Sequence, residues 1–290
     1  MTVPPFQEIH IENTNSCGYT CVMCPRESQT RPIGFMPLTN FSLLLDRIGR
    51  FRGLVHLHGF GEPLLDRKLK EKIELLNKRW PSAKSLIFST LGVKQTQEDF
   101  LQLLEAGLHS MVISLYGFTR NSYQAIHRYD GLERVKQNLQ SLSRAMNLFS
   151  RPFRAIIKIP GSGISSSLLI PPSPDQAAFC NWARELGFEI GEWTYLHNYS
   201  NGRTYNRPNR EKLCPVIHGN RKVILNITWD LDVIPCCYDF NATIRFGNLQ
   251  QQTLEEIFSS PEYLSFVLAH QTQELSAYPV CQNCEKSDYA

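Results

Sequence analysis

The chain has 290 residues, 42% of them hydrophobic, which suffices to bury a substantial core in one large domain with a smaller appendage. Its net charge of +3 is small and dispersed, which argues against a nucleic-acid or membrane-surface partner. No apolar run reaches membrane-spanning length, and Met1-Thr2-Val3-Pro4-Pro5 lacks a basic-then-apolar signal, so a cytoplasmic location is expected.

From the N-terminus, Phe6-Gln7-Glu8-Ile9-His10-Ile11-Glu12 alternates and predicts a strand. Just past its C-terminal end, where barrel chemistry usually sits, Cys17, Cys21 and Cys24 stand in a CxxxCxxC frame. In a reducing cytosol such spacing reads as metal ligation rather than disulfides. A 4Fe-4S cube takes one thiolate per iron, so three cysteines leave one iron open to bind and reduce a ligand. Zinc binding and plain burial are the competing uses of a short cysteine cluster.

A helix is expected over 38–50 and a strand over 53–58, ending in His56-Leu57-His58-Gly59-Phe60-Gly61-Glu62-Pro63. His56 and His58 share a strand face. They read as barrel-interior or substrate-bonding histidines rather than a metal pair, because no nearby carboxylate or third ligand completes a site. Helices over 66–78, 97–106, 131–148 and 174–186 then alternate with strands over 84–90, 109–116, 153–159 and 188–194. Six βα units fit a partial parallel barrel or a doubly wound sheet. No GxGxxG follows the first strand, where a dinucleotide fold would place it; the cysteine loop occupies that position.

Cys180, in an apolar helical stretch, reads as a buried core thiol. Residues 160–172 read as an irregular loop and 197–210 as a polar linker. Beyond Cys214 a hairpin is expected from 223–228 and 231–235 around Trp229-Asp230, followed by Cys236-Cys237, Gly247-Asn248-Leu249, a helix from Thr253 to Ala269, and Cys281-Gln282-Asn283-Cys284.

Over almost the whole chain, these motifs in this order resemble the radical S-adenosylmethionine (SAM) superfamily with a C-terminal SPASM/Twitch extension. The resemblance implies an α/β fold, a partial (β/α)6 TIM-like barrel over 1–205, with a small α+β iron-sulfur extension over 206–290. It implies that Cys17, Cys21 and Cys24 hold a 4Fe-4S cluster whose open iron chelates SAM, and that Gly61, Glu62 and Pro63 seat the SAM amino group. Met23 would lie by the adenine, where the family commonly has an aromatic or large apolar residue. Ser89, in Ser89-Thr90-Leu91-Gly92, matches a Ser-Thr-Asn-Gly strand end in which Leu91 replaces Asn. Ser114 would contact the ribose or methionine part, and Arg128 the SAM carboxylate. Cys214, Cys236, Cys281 and Cys284 supply one full set of four for a single auxiliary 4Fe-4S cluster, with a four-cysteine zinc site as the alternative. Cys237 is then a hydrogen-atom donor, a packing residue, or a substitute ligand for Cys236.

The implied activity is reductive cleavage of SAM to a 5'-deoxyadenosyl radical and hydrogen abstraction from an unactivated C-H of a natural-product substrate, a small molecule or a peptide. The electron donor would be a flavodoxin or ferredoxin. The first outcome considered is epimerisation of an aminoglycoside or peptide centre with Cys237 as donor. Others are oxidation of an alcohol to a ketone, as in aminocyclitol dehydrogenases, and ribosomal-peptide crosslinking, decarboxylation or backbone excision. A non-catalytic metal-binding scaffold is the reading from a different class.

Overall fold

The computed structural model describes residues 3–161, 173–193, 196, 199, 214 and 223–284. The expected boundary at 205/206, the loop over 162–172 and all of the 197–210 linker except Tyr199 lie outside these residues. Six βα units follow in order: β1 (Glu8–Ile11), α1 (Leu38–Ile48), β2 (Leu54–His56), α2 (Leu69–Arg79), β3 (Lys84–Ser89), α3 (Gln97–Glu105), β4 (Ser110–Ser114), α4 (Arg120–His127), α5 (Leu132–Leu148), β5 (Arg154–Pro160), α6 (Pro174–Glu185) and β6 (Glu189–Trp193). These strands pair in parallel in the order β6-β5-β4-β3-β2-β1 and do not close on themselves. The result is the partial barrel expected.

Period-two alternation decides which side chains face which layer. Ile9, Ile11, Val55, Leu57, Ile87, Met111, Ile113 and Ile157 are fully buried among the apolar residues of the core, as are Leu44, Ile73, Leu104 and Leu139 of the helices. The intervening positions on the other face, His10, Glu12, His58, Phe88 and Ser114, line a cavity. On β1 and β4 the residues that build the site are thus the polar ones, His10, Glu12 and Ser114, while β3 contributes Phe88 as well as Ser89.

The C-terminal segment continues the same sheet. β7 (Ile224–Ile227) pairs in parallel with β1, and β8 (Asp232–Ile234) and β9 (Gly247–Asn248) add antiparallel beyond it. The strand leading into the first cysteine loop is thereby hydrogen-bonded to the hairpin leading into Cys236.

Two elements depart from expectation. Helix α4 has eight residues, too few for a recognisable apolar period, and its start is set by a Thr119–Ser122 capping box. The single helix expected from Thr253 to Ala269 is two, α7 (Leu254–Phe258) and α8 (Pro261–Thr272). Pro261 has no N-H to continue α7, and Ser260 restarts the chain as an N-cap by accepting from the Tyr263 amide. A short α9 (Pro279–Gln282) holds Cys281. Among the described residues no helix is long and apolar enough to cross a membrane.

Candidate active site

The first cysteine loop is closed at its base by side chains that replace absent sheet partners. Thr14 donates its hydroxyl to the Gly34 carbonyl (2.7 Å), and the Asn15 side chain both donates to Pro32 O and accepts from the Gly34 amide (2.8 Å each). The Val22 amide donates to Ile126 O of α4 at 2.9 Å. Between these ties Cys17, Cys21 and Cys24 converge. Burial pushes the Cys17 thiol up to about 11 and raises Cys21 further, with the neighbouring cysteines adding to both shifts. Bare thiols are thus held protonated, and a metal must displace those protons to bind. Three soft, close donors of this kind fit an iron-sulfur cluster, as they would zinc.

The Gly-Glu-Pro turn is joined directly to that loop. A Cβ on Gly61 would stand 2.3 Å from Thr14 O and 2.7 Å from Ser16 O, so only glycine permits the approach. The next amide, of Glu62, donates to Ser16 O at 2.8 Å. The Glu62 carboxylate is 2% exposed and accepts from Ser89 Oγ (2.7 Å), Thr90 Oγ1 (2.7 Å), Thr90 N (2.8 Å) and Leu64 N (3.3 Å). Burial raises its pKa, while these four donors act in the opposite direction. Pro63 is buried and starts a 3-10 turn, Pro63–Leu65, rather than lining the cavity.

Gly61, Glu62, Ser89, Ser114 and Met23 line one cavity of about 380 Å3 with the three cysteines. Leu91 adopts the left-handed region (φ 54°), with its amide donating to Ser89 Oγ and its carbonyl accepting from Asn138 Nδ2. Asparagine tolerates that backbone best after glycine. Leucine persists there with its side chain fully buried in the core.

Arg128 is not brought into the cavity. It is the exposed, left-handed C-cap of α4 (φ 56°), a position that turns it away from the face packed inward. The preceding residue, His127, lines the cavity instead. The Tyr116 amide donates to His127 Nε2 (3.3 Å), which leaves the ring proton on Nδ1, 3.3 Å from Cys21 Sγ. Burial lowers the His127 pKa to about 4, so the ring is neutral. No motif signals this residue in the sequence.

The second cysteine group also converges. Burial raises the Cys281 thiol, and Cys236, Cys214 and Cys284 each add to the shift. Cys236 is buried, whereas the adjacent Cys237 is exposed and lines the cavity shared by Cys17, Cys21 and Cys24. Asp239 shapes this turn: its carboxylate accepts from Thr243 N, Thr243 Oγ1 and Ile244 N at 2.7 to 2.9 Å. Arg31 binds the two segments together. It forms a bidentate pair with Glu12 (2.5 Å each) and donates Nε to Phe240 O at 2.8 Å. Neither Arg31 nor Asp239 stood out in the sequence.

The expectation that no carboxylate or third ligand accompanies His56 and His58 is corrected. Pairing of β1 with β2 sets His10 beside His56, and Glu8 shares their face. Glu8 Oε2 lies 3.6 Å from His10 Nε2 and 3.7 Å from His56 Nε2.

Comparison with known proteins agrees with this geometry. The Radical SAM superfamily model matches residues 11–152, and the SPASM iron-sulfur cluster-binding domain model matches residues 219–285. The S-adenosyl-L-methionine-dependent 2-deoxy-scyllo-inosamine dehydrogenase of Niallia circulans is 21% identical, covering 96% of this chain and 92% of its own. A tungsten-containing aldehyde ferredoxin oxidoreductase cofactor-modifying protein of Pyrococcus furiosus is 22% identical over 97% of this chain and 87% of its own. Among solved structures, BtrN in complex with AdoMet and 2-DOIA superposes with a TM-score of 0.64 at 17% identity, covering 98% of this chain and 94% of that one. Two matched domains, in the order in which the two cysteine groups occur, identify the chain as a radical SAM superfamily enzyme with a SPASM domain, which takes SAM and iron-sulfur clusters as cofactors.

Proposed function

We propose that Cys17, Cys21 and Cys24 hold the SAM-binding 4Fe-4S cluster and that Cys214, Cys236, Cys281 and Cys284 hold one auxiliary 4Fe-4S cluster. Gly61, Glu62 and Pro63 shape the seat for SAM, with Met23, Ser89 and Ser114 on the same wall. When bound, these cofactors supply one-electron cleavage of SAM and abstraction of a hydrogen atom from a substrate carbon. The chain's own residues shield that chemistry and decide how it ends. The cavity is lined mostly by apolar and aromatic side chains, with Glu12, Asn226, Thr228 and Asp239 among its polar groups, and would take a small hydroxylated molecule or a peptide side chain; a flavodoxin or ferredoxin is the proposed electron donor.

The reading favoured is epimerisation, and the observation that carries it is the placement of Cys237. Its thiol lines the cavity that holds the first cysteine group, while Cys236 is buried with the second. A thiol there can return a hydrogen atom to the opposite face of the substrate carbon, inverting the centre without net oxidation. An electron and a proton then restore the thiol. The test uses anaerobic, cluster-loaded enzyme in D2O with aminoglycosides and peptides: wild type yields inverted product carrying one solvent deuterium, and Cys237→Ala cleaves SAM without inverting. Normal inversion by Cys237→Ala refutes the donor role.

A second reading, oxidation of an alcohol to a ketone, is favoured by the N. circulans dehydrogenase, whose similarity runs over nearly the full length of both chains. It requires a product lighter by two hydrogens, no solvent deuterium at the reacting carbon, and turnover that survives loss of Cys237.

His127 should tune the first cluster. Its Nδ1-H points at Cys21 Sγ, and donors to cluster sulfur stabilise the reduced state. A hydrogen bond worth about 1 kcal/mol more to the reduced cluster corresponds to roughly 40 mV in a one-electron couple. His127→Leu is therefore expected to lower the cluster potential by tens of millivolts, read by redox titration followed by EPR. An unchanged potential would exclude the role.

A further inference from the structure

His10, His56 and His58 take no part in the chemistry proposed above, yet they lie together on the inner face of β1, β2 and the turn that follows. The His10 and His56 rings stack at 4.1 Å, and the His58 ring lies 5.3 Å from His56 and 5.9 Å from His10. The Glu8 carboxylate completes a triad with His10 and His56, whose ligand atoms all lie within 4.8 Å of one another. The three side chains are 11% (Glu8), 17% (His10) and 12% (His56) exposed.

The 3.6 and 3.7 Å separations of Glu8 Oε2 from the two imidazole nitrogens are longer than hydrogen bonds. They are close to the spacing of metal ligands, since two donors each about 2.1 Å from a tetrahedral ion stand about 3.4 Å apart. His10 Nε2, the atom facing Glu8, is buried with no hydrogen-bond partner among the described residues.

We propose that Glu8, His10 and His56 bind one divalent transition-metal ion at the floor of the barrel cavity. Two imidazoles and one carboxylate select zinc or ferrous iron over magnesium or calcium. Three protein donors leave a coordination position for water or a substrate hydroxyl, and His10 itself lines the cavity where substrate would enter. This site contains no sulfur and shares no residue with either cysteine group.

The probe is zinc. Anaerobic, cluster-loaded enzyme is given one equivalent of zinc, desalted, and analysed for zinc and iron together, with zinc-edge X-ray absorption on the same sample. About one zinc per chain is expected, with nitrogen and oxygen neighbours at about 2.0 to 2.1 Å and no sulfur. Glu8→Gln and His56→Asn should retain full iron while zinc affinity falls by more than the about 10- to 100-fold typical of losing an outer-shell partner. Zinc that does not stay bound to wild type, zinc ligated by sulfur, or zinc bound equally by both variants would each overturn the proposal. Because the wild-type spectrum reports ligand type by itself, the test holds even if a variant misfolds.

Discussion

Replacing Cys17, Cys21 and Cys24 together by alanine is expected to remove about four irons per chain and reduce SAM cleavage to background, whereas Cys281→Ala should also remove about four irons yet leave dithionite-driven SAM cleavage measurable. The contrast follows from where the two groups lie. The first three thiols line the cavity with Gly61 and Glu62, in a loop tied to the Gly-Glu-Pro turn by the Glu62 to Ser16 hydrogen bond. Cys281 belongs with Cys214, Cys236 and Cys284 and does not line that cavity. Iron and sulfide analysis with 5'-deoxyadenosine quantification checks both halves. Residual SAM cleavage in the triple variant, or its complete loss in Cys281→Ala despite a retained first cluster, would break the division of labour proposed for the two groups.

Asp66→Ala is expected to destabilise the fold by about 3–5 kcal/mol, because it strands a buried charge. Lys72 is fully buried in α2, and its Nζ donates to Asp66 Oδ2 at 2.6 Å. Burial lowers the Lys72 pKa and the Asp66 carboxylate opposes that shift, so the ammonium depends on its partner. Asp66 also accepts from Asn13 Nδ2 (3.2 Å) and from the Lys68 amide (2.9 Å), while Asn13 reaches toward Pro63 O. The pair therefore braces the Gly-Glu-Pro turn against the segment entering the cysteine loop. The double variant Asp66→Leu/Lys72→Met should recover most of the loss, since an apolar pair of similar volume avoids the desolvation cost. Anaerobic denaturant melts of the three proteins decide the matter, and an Asp66→Ala loss below about 1 kcal/mol would mean that water or another group already compensates Lys72.

The sequence by itself determined the features that are local along the chain. Alternation at period two located the first barrel strand, and the βα order of the segments located the other five; in the structure the alternation of β1 separates the buried Ile9 and Ile11 from His10 and Glu12, which line the cavity, because adjacent strand residues point oppositely. Cysteine spacing marked out the first candidate ligand group, because Cys17, Cys21 and Cys24 lie on one short loop, whereas Cys214, Cys236, Cys281 and Cys284 were grouped only through the resemblance to the SPASM/Twitch extension. Gly61 was legible only through the resemblance of its Gly-Glu-Pro turn to that of the family, and the structure adds the physical reason, that no side chain fits at that point. The tertiary structure alone decided what depends on register and on helix termination. Strand pairing set Glu8 and His10 against His56 and supplied the ligands that the His56-Leu57-His58 stretch lacked in sequence. The left-handed end of α4 sent Arg128 outward and left His127 at Cys21. The parallel pairing of β7 with β1 brought Phe240 within reach of Arg31 across 209 residues of chain, a contact that no local pattern records.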